Sequence, residues 1–369
     1  QPPTANRQPT TDNRQPPTDN RQPTTDNRQP TTLKNLIYIG NQLSTRGGSP
    51  TSIDILAPLL RKECFQVKTA SAKKNKFLRL IEMLLLVYRN RRTTDFVLID
   101  TYSTQNFWYA YAVASLCQKL HLKYIPILHG GELPARLENS PKVSKKVFEK
   151  AFLNVAPSLY LKTVFQQKGF LNIQYIPNSI HLENYPFKER FQLRPRLLWV
   201  RAFAEIYNPL QALKVLELLL PDYPDAELCM VGPVKDDSWK NCIRYSRLHS
   251  LPVRFMGRLA KEDWIALSEA YDIFLNTTNI DNTPVSVIEA MALGLPVVST
   301  NVGGLPYLIT ADIDGVLVPP NDPERMAEAI KNMLKRPEHS LERTRAARKK
   351  VEAFDWERVK VLWKEVLAR

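Results

Sequence analysis

Cysteine is scarce. The chain has four, Cys64, Cys117, Cys229 and Cys242, spread over 369 residues with no Cys-x-x-Cys pair. That excludes a disulfide framework and a cysteine-based zinc site, and it fits a reducing compartment. Long apolar runs are also missing. A membrane-spanning helix needs about 20 apolar residues, whereas the longest stretch here, residues 81–88, is short and includes Glu82. The N-terminus has no apolar stretch of the kind a secretory leader carries, so no leader is expected. Acidic residues are outnumbered: 51 Lys and Arg against 37 Asp and Glu leave a net charge of +14. Such a balance points to anionic partners, whether phosphorylated ligands, a membrane surface or nucleic acid. Hydrophobic residues make up 44% and charged residues 24%, ordinary values that exclude a wholly disordered, collagen-like or coiled-coil chain.

Residues 1–32 stand apart. Four seven-residue units (1–7, 8–14, 15–21 and 22–28) share the pattern Gln-Pro-(Pro/Thr)-Thr-(Ala/Asp)-Asn-Arg, and a fifth begins at Gln29. With no branched aliphatic or aromatic side chain, this tail has nothing to bury, and its prolines block a helix. We read it as a disordered, low-complexity tail, a translated tandem repeat; the alternative is a spacer or docking arm. Its four Arg and three Asp explain almost none of the net charge.

From Leu33 onward, short apolar runs alternate with amphipathic stretches. Strands are expected at 36–40, 96–99, 124–128, 152–155 and 174–176, with helices at 53–60, 76–88, 107–120 and 158–167. The pattern then repeats, with strands at 196–200, 227–232, 253–256, 273–276, 296–299 and 315–318 and helices at 210–219, 261–270, 285–293 and 324–334. Two successive α/β halves predict two Rossmann-like domains facing across a cleft. The charged, proline-flanked segment 186–195 is the expected linker. The expected boundaries are 33–190, 191–350 and a C-terminal helix, 351–369, packing back on the N-terminal domain.

The most informative stretch is 279–306. A loop ends at Pro284, a residue suited to a helix start, so the N–H groups of Val285 and Ser286 lie free at the positive helix end, a seat for phosphate. Glu289 sits one turn in, where a carboxylate can accept two ribose hydroxyl hydrogen bonds. The apolar neighbours in Ala290-Met291-Ala292-Leu293-Gly294-Leu295-Pro296 place this helix in the interior, and a buried carboxylate needs a partner.

This segment resembles the donor-binding signature of family 4 glycosyltransferases, the retaining, group 1 enzymes with the GT-B fold. That signature has two acids eight positions apart, here Asp281 and Glu289, then Ala-Met-Ala-x-Gly-x-Pro-Val-Val and a Gly-Gly-x-Pro loop, here Gly303, Gly304 and Pro306. Gly315 with its neighbours, Ile176-Pro177-Asn178, Phe255-Met256-Gly257-Arg258 and Phe354-Asp355-Trp356 extend the resemblance across nearly all of 33–369.

The resemblance implies roles. Glu289 would hold the donor ribose and Asp281 the hydroxyls of the transferred sugar. The amides of Val285 and Ser286 would hold the diphosphate, with Arg201 as its clamp, and Gly257 and Arg258 would flank the base. His129, ending the strand at 124–128, matches the family's cleft histidine, and Gly47 and Gly48 match its first loop, where glycine lets the backbone approach donor and acceptor closely. Gly303 and Gly304 complete the donor set. No cofactor and no metal are implied.

Three departures mark a divergent branch: Asp281 replaces the usual Glu, Asn282-Thr283-Pro284 replaces glycine-rich residues, and no lysine follows Arg201. Lys235 is a candidate substitute. The expectation is a hexosyl- or glycosyltransferase moving a sugar from a nucleotide-diphosphate donor to a glycan or lipid-linked acceptor in cell-surface polysaccharide or lipopolysaccharide synthesis. The alternatives are a non-catalytic nucleotide-sugar-binding protein and a basic nucleic-acid-binding protein. The latter lacks the basic and aromatic interleaving it would need, so nucleic acid is not expected as a partner.

The expected location is cytoplasmic and peripheral on the inner face of the cytoplasmic membrane. Residues 73–92 carry seven cations and one acid around an apolar middle. Part of that helix would pack on the sheet while its basic ends meet anionic lipid. A core helix with solvated basic flanks is the alternative.

Overall fold

A computed structural model describes residues 33–42 and 51–369. The repeat tail and the loop carrying Gly47 and Gly48 lie outside the described residues. The first sheet comprises β1 (Asn35–Ile39), β2 (Gln66–Ala70), β3 (Phe96–Tyr102), β4 (Tyr124–His129), β5 (Asn154–Ala156) and β6 (Ile173–Tyr175), in the order β2-β1-β3-β4-β5-β6. Its connections carry helices α1 (Ser52–Lys62), α2 (Lys76–Asn90), α3 (Phe107–Lys119), α4 (Leu133–Asn139), α5 (Pro141–Phe148) and α6 (Leu159–Gln167).

The second sheet comprises β7 (Arg196–Val200), β8 (Glu227–Val231), β9 (Val253–Gly257), β10 (Ile273–Asn276), β11 (Val297–Thr300) and β12 (Val316–Val318), in the order β12-β11-β10-β7-β8-β9. Around it lie α7 (Pro209–Leu219), α8 (Ser238–Leu248), α9 (Lys261–Ser268), α10 (Val285–Ala292), α11 (Leu305–Leu308), α12 (Pro323–Lys335) and α13 (Pro337–Val351). The last helix is α14 (Trp356–Ala368).

The strand pairs are parallel in both sheets. Central strands such as β1, β3 and β10 are covered on both faces and accordingly carry short apolar runs, 36–39, 96–99 and 273–275. Edge strand β2 does not: Gln66-Val67-Lys68-Thr69-Ala70 is half-exposed, which is why its sequence conceals it. Helices α4, α5, α8 and α13 also went unanticipated; α8 and α13 are strongly polar, and only a few of their side chains reach the core.

The segment 186–195 is no free tether. Arg190 is buried in it and donates to the carbonyls of Tyr271, Leu293 and Gly294 at 2.9–3.2 Å, fastening it to the second domain. Further on, Ile180 and Phe354 pair backbone to backbone at 2.9 Å, and Trp356 N–H donates to Ile180 O at 2.9 Å. Helix α14 then lays Trp356, Val359, Trp363, Val366 and Leu367 against the first sheet, among Leu36, Tyr38, Phe96 and Ile125.

Candidate functional site

The loops that follow the strands of the two sheets bring several of the expected residues together. Arg201 follows β7, and Asp281 stands in the loop between β10 and α10. Their side chains form an ion pair, and the Arg201 guanidinium also stacks on Tyr207 at 4.3 Å. Arg201 Nε is buried without a partner. Burial pushes the Asp281 carboxyl above its ordinary value, and the Arg201 charge works against that shift.

The backbone of Asp281 and Asn282 is gripped by glycine on two sides. A Cβ on Gly303 would stand 2.2 Å from Asp281 O, and one on Gly304 would stand 1.7 Å from Asn282 O. These two glycines support the loop that carries Asp281. Gly131, from the turn after β4, packs against the Asp281 carbonyl from the other domain. The departure at Asn282-Thr283 has a structural use: Asn282 hydrogen-bonds Ser158, and Thr283 Oγ1 donates to Pro157 O at 3.5 Å. Both partners belong to the first domain, at the start of α6, so glycine here would forfeit the inter-domain ties.

Helix α10 starts at Val285 with Pro284 as an N-cap that offers no side-chain acceptor. The first N–H groups of a helix have no acceptor within it. Ser286 Oγ is buried and unpartnered beside them. An orphaned hydroxyl, free amides and the nearby Arg201 make a donor set suited to an anion.

One turn on, Glu289 is 3% exposed. Its Oε1 accepts from Tyr185 Oη at 2.8 Å and pairs with Lys261. Burial and the adjacent carboxylate push the Tyr185 hydroxyl far up, so it remains a donor. The second Glu289 oxygen is left to accept from a ligand. Gly257, at the end of β9 with φ +65°, has no atom within 4 Å of where a Cβ would sit, and Arg258 follows it on the surface. Lys235 is exposed on the loop after β8, its backbone N–H bonded to Phe203 O at 2.9 Å.

Across the cleft, His129 ends β4. Its Nε2 lies 2.8 Å from Asp100 Oδ1, its Nδ1 lies 3.4 Å from Ser52 Oγ, and its ring stacks on Tyr102 at 5.0 Å. Tyr38 Oη donates to the same Asp100 oxygen at 2.8 Å, while Asp100 Oδ2 is buried without a partner. A carboxylate on one ring nitrogen fixes the imidazole's orientation and turns the other toward the Ser52 hydroxyl. Asp100 escaped sequence reasoning, although an acid ending the apolar run Val97-Leu98-Ile99 was a visible signal. Tyr185, Lys261 and Tyr207 were also missed, and their contacts with Glu289 and Arg201 depend on tertiary structure alone. Among the described residues, no group of three or more His, Cys, Asp or Glu side chains converges as a metal site.

Residues 183–350 match the family described as glycosyl transferases group 1. A 199-residue stretch is 29% identical to the glycogen synthase of Mycobacterium tuberculosis, covering 52% of this chain and 47% of that protein. The amylovoran biosynthesis glycosyltransferase AmsK of Erwinia amylovora is 25% identical over 274 residues, 67% of this chain and 64% of AmsK. The chain thus spans about half the length of the glycogen synthase it matches. Among solved structures, Anabaena Alr3699/HepE in complex with UDP superposes with a TM-score of 0.72 at 17% identity, over 91% of this chain and 100% of that one. Sucrose-phosphate synthase from Thermosynechococcus elongatus gives 0.75 at 17% identity, with the same coverage. At such identity the likeness is one of fold, and the fold is GT-B.

Proposed function

We propose that this chain, whose residues 183–350 match the family described as glycosyl transferases group 1, is a cytoplasmic enzyme that transfers a sugar from a nucleotide-diphosphate donor to a hydroxyl of a glycan or lipid-linked acceptor. The reading extends to retention of anomeric configuration and to a role in building cell-surface polysaccharide or lipopolysaccharide. One observation carries it: the Arg201–Asp281 ion pair stands at the loop that leads directly into the uncapped start of α10, where the Ser286 hydroxyl is buried without a partner. The solved HepE complexes with UDP and with UDP-glucose, and the name of AmsK, support a nucleotide sugar as donor and a polysaccharide as product.

In this mechanism the diphosphate lies against the amides of Val285 and Ser286 and the Arg201 guanidinium. Glu289 accepts the ribose hydroxyls, and Gly257 and Arg258 flank the base. Asp281 and His129 hold the transferred sugar. The bond between the anomeric carbon and the diphosphate breaks, and its electron pair leaves with the phosphate. The acceptor oxygen bonds to that carbon on the same face and passes its proton to the departing phosphate oxygen. The protein's share is positioning and charge stabilisation.

Glu289→Ala tests the donor site. Losing a charged hydrogen-bond partner costs about 1.5–3 kcal/mol, so UDP or GDP affinity falls roughly 10- to 150-fold by calorimetry. An unchanged affinity in the folded variant overturns the assignment. Wild-type protein that binds a nucleotide sugar, yet neither transfers nor hydrolyses it, points to the non-catalytic reading. Positive charge at the leaving group comes from Arg201 and the α10 start, so no metal or other cofactor is required and transfer persists in EDTA. Activity that vanishes in EDTA and returns with manganese overturns that part.

A further inference from the structure

Ten of the fifteen residues of helix α2 are apolar, more than one buried face needs. Yet only Met83 and Val87 are buried, against the first sheet. Part of the helix thus packs on the sheet, as expected, through Met83 and Val87 with Leu84 and Leu86 beside them, while other apolar side chains point outward. Phe77, Ile81, Leu85 and Tyr88 are spaced four, four and three apart, so they form one stripe along the helix. Phe77 is 80% exposed, and Leu78, Ile81, Leu85, Tyr88 and Trp108 of the adjacent α3 are 42–56% exposed. A groove of about 350 Å³ between the two helices, lined by Leu84, Leu85, Tyr88, Leu116 and Lys119, continues the patch. Scattered exposed apolar residues are ordinary; a contiguous face of them marks an interaction surface.

Charge identifies what covers it. Lys73, Lys74, Lys76 and Arg79 stand at the start of α2 and Arg89, Arg91 and Arg92 at its end. The one acid between them, Glu82, is held by Ser71. Among the described residues, none of the seven cations is paired with a carboxylate. The first turn of α2 contains no acid and begins with Lys76, so its positive end carries further positive charge. That placement is locally unfavourable unless an external anion offsets it.

The geometry points to docking of this face on an anionic lipid bilayer. Helix α2 lies in the interface plane, with Phe77, Ile81, Leu85, Tyr88 and Trp108 toward the acyl boundary and the cations among the headgroups. The arrangement also orients the cleft. Arg79 Nη1 donates to Asn41 Oδ1 at 3.2 Å, just beyond the C-terminal end of β1, so the most exposed end of α2 sits at the cleft rim. This inference rests on α2 and α3 alone and stands apart from the transferase reading.

The test is co-sedimentation of the full chain with vesicles of phosphatidylglycerol and phosphatidylcholine, and with phosphatidylcholine alone, at low and high salt. Binding to the anionic vesicles at low salt is expected, weakening as salt rises, with little on the neutral ones. Lys73→Gln and Lys74→Gln should each weaken it about fivefold. The double variant Phe77→Ser with Ile81→Ser should weaken it strongly while its melting temperature stays near wild type, since both positions are exposed. No binding to the anionic vesicles, equal binding to both lipids, or binding indifferent to the serine variant overturns the proposal. So does a dimer in sedimentation equilibrium that Ile81→Ser dissolves, because a second copy then covers the face. UDP affinity is measured alongside; its loss or survival reports on the donor site and leaves the lipid result interpretable.

Discussion

Replacing Arg201 by Ala lowers kcat by about 10²- to 10³-fold at saturating donor, the effect of removing one preorganised group from a developing negative charge. The side chain is well placed for such a role. The stack on Tyr207 and the bond with Asp281 fix its plane, and its buried Nε has no partner of its own. Its backbone is equally constrained, because a Cβ on Gly232 would stand 1.7 Å from Arg201 O. Without the arginine, the largely covered Asp281 carboxylate loses its countercharge, so the variant also loses stability. Arg201→Lys separates the two effects: it restores a charge for Asp281 without a planar fork, so melting recovers more than kcat does. An Arg201→Ala enzyme with unchanged kcat sinks the clamp assignment.

Trp363→Ala has a comparably large effect on folding. Trp363 is buried on α14, the last helix, and packs with Trp356 and Leu367 against the first sheet. Truncating a buried tryptophan costs about 3–5 kcal/mol, a large share of a typical domain's stability. Urea unfolding should show the midpoint shift. A loss below about 1 kcal/mol would mean that α14 adds little to the first domain.

Most of the fold was legible because parallel strands covered on both faces leave short apolar runs: 36–39 in β1, 96–99 in β3 and 273–275 in β10. The elements that escaped lie at sheet edges or on the surface. Helix α13 has only Ser340, Thr344, Ala347 and Val351 buried, so its composition resembles a loop. The donor segment was legible because its chemistry is local: a proline, a helix start and an acid one turn in. What surrounds it was not. Tyr185 lies 104 residues from Glu289 in sequence, and Ser158 lies 124 from Asn282. Asp100 meets His129 through adjacent strands, with Tyr102 opposite His129 in the parallel register.

The two places where the chain passes between domains, near Ile180 and near Phe354, are bonded to each other. Two passages side by side behave as a strap hinge. They bend easily about a line running across both strands, whereas sliding or twisting one domain over the other would shear the bonds between them. The other contacts between the domains are looser: Asn282 on Ser158, Thr283 on the Pro157 carbonyl, and the rings of Tyr160 and Tyr307, 5.9 Å apart. The contacts therefore have the layout of a clasp: backbone bonds on the strap side and weaker side-chain contacts on the other, so any opening costs least on the side farthest from the strap.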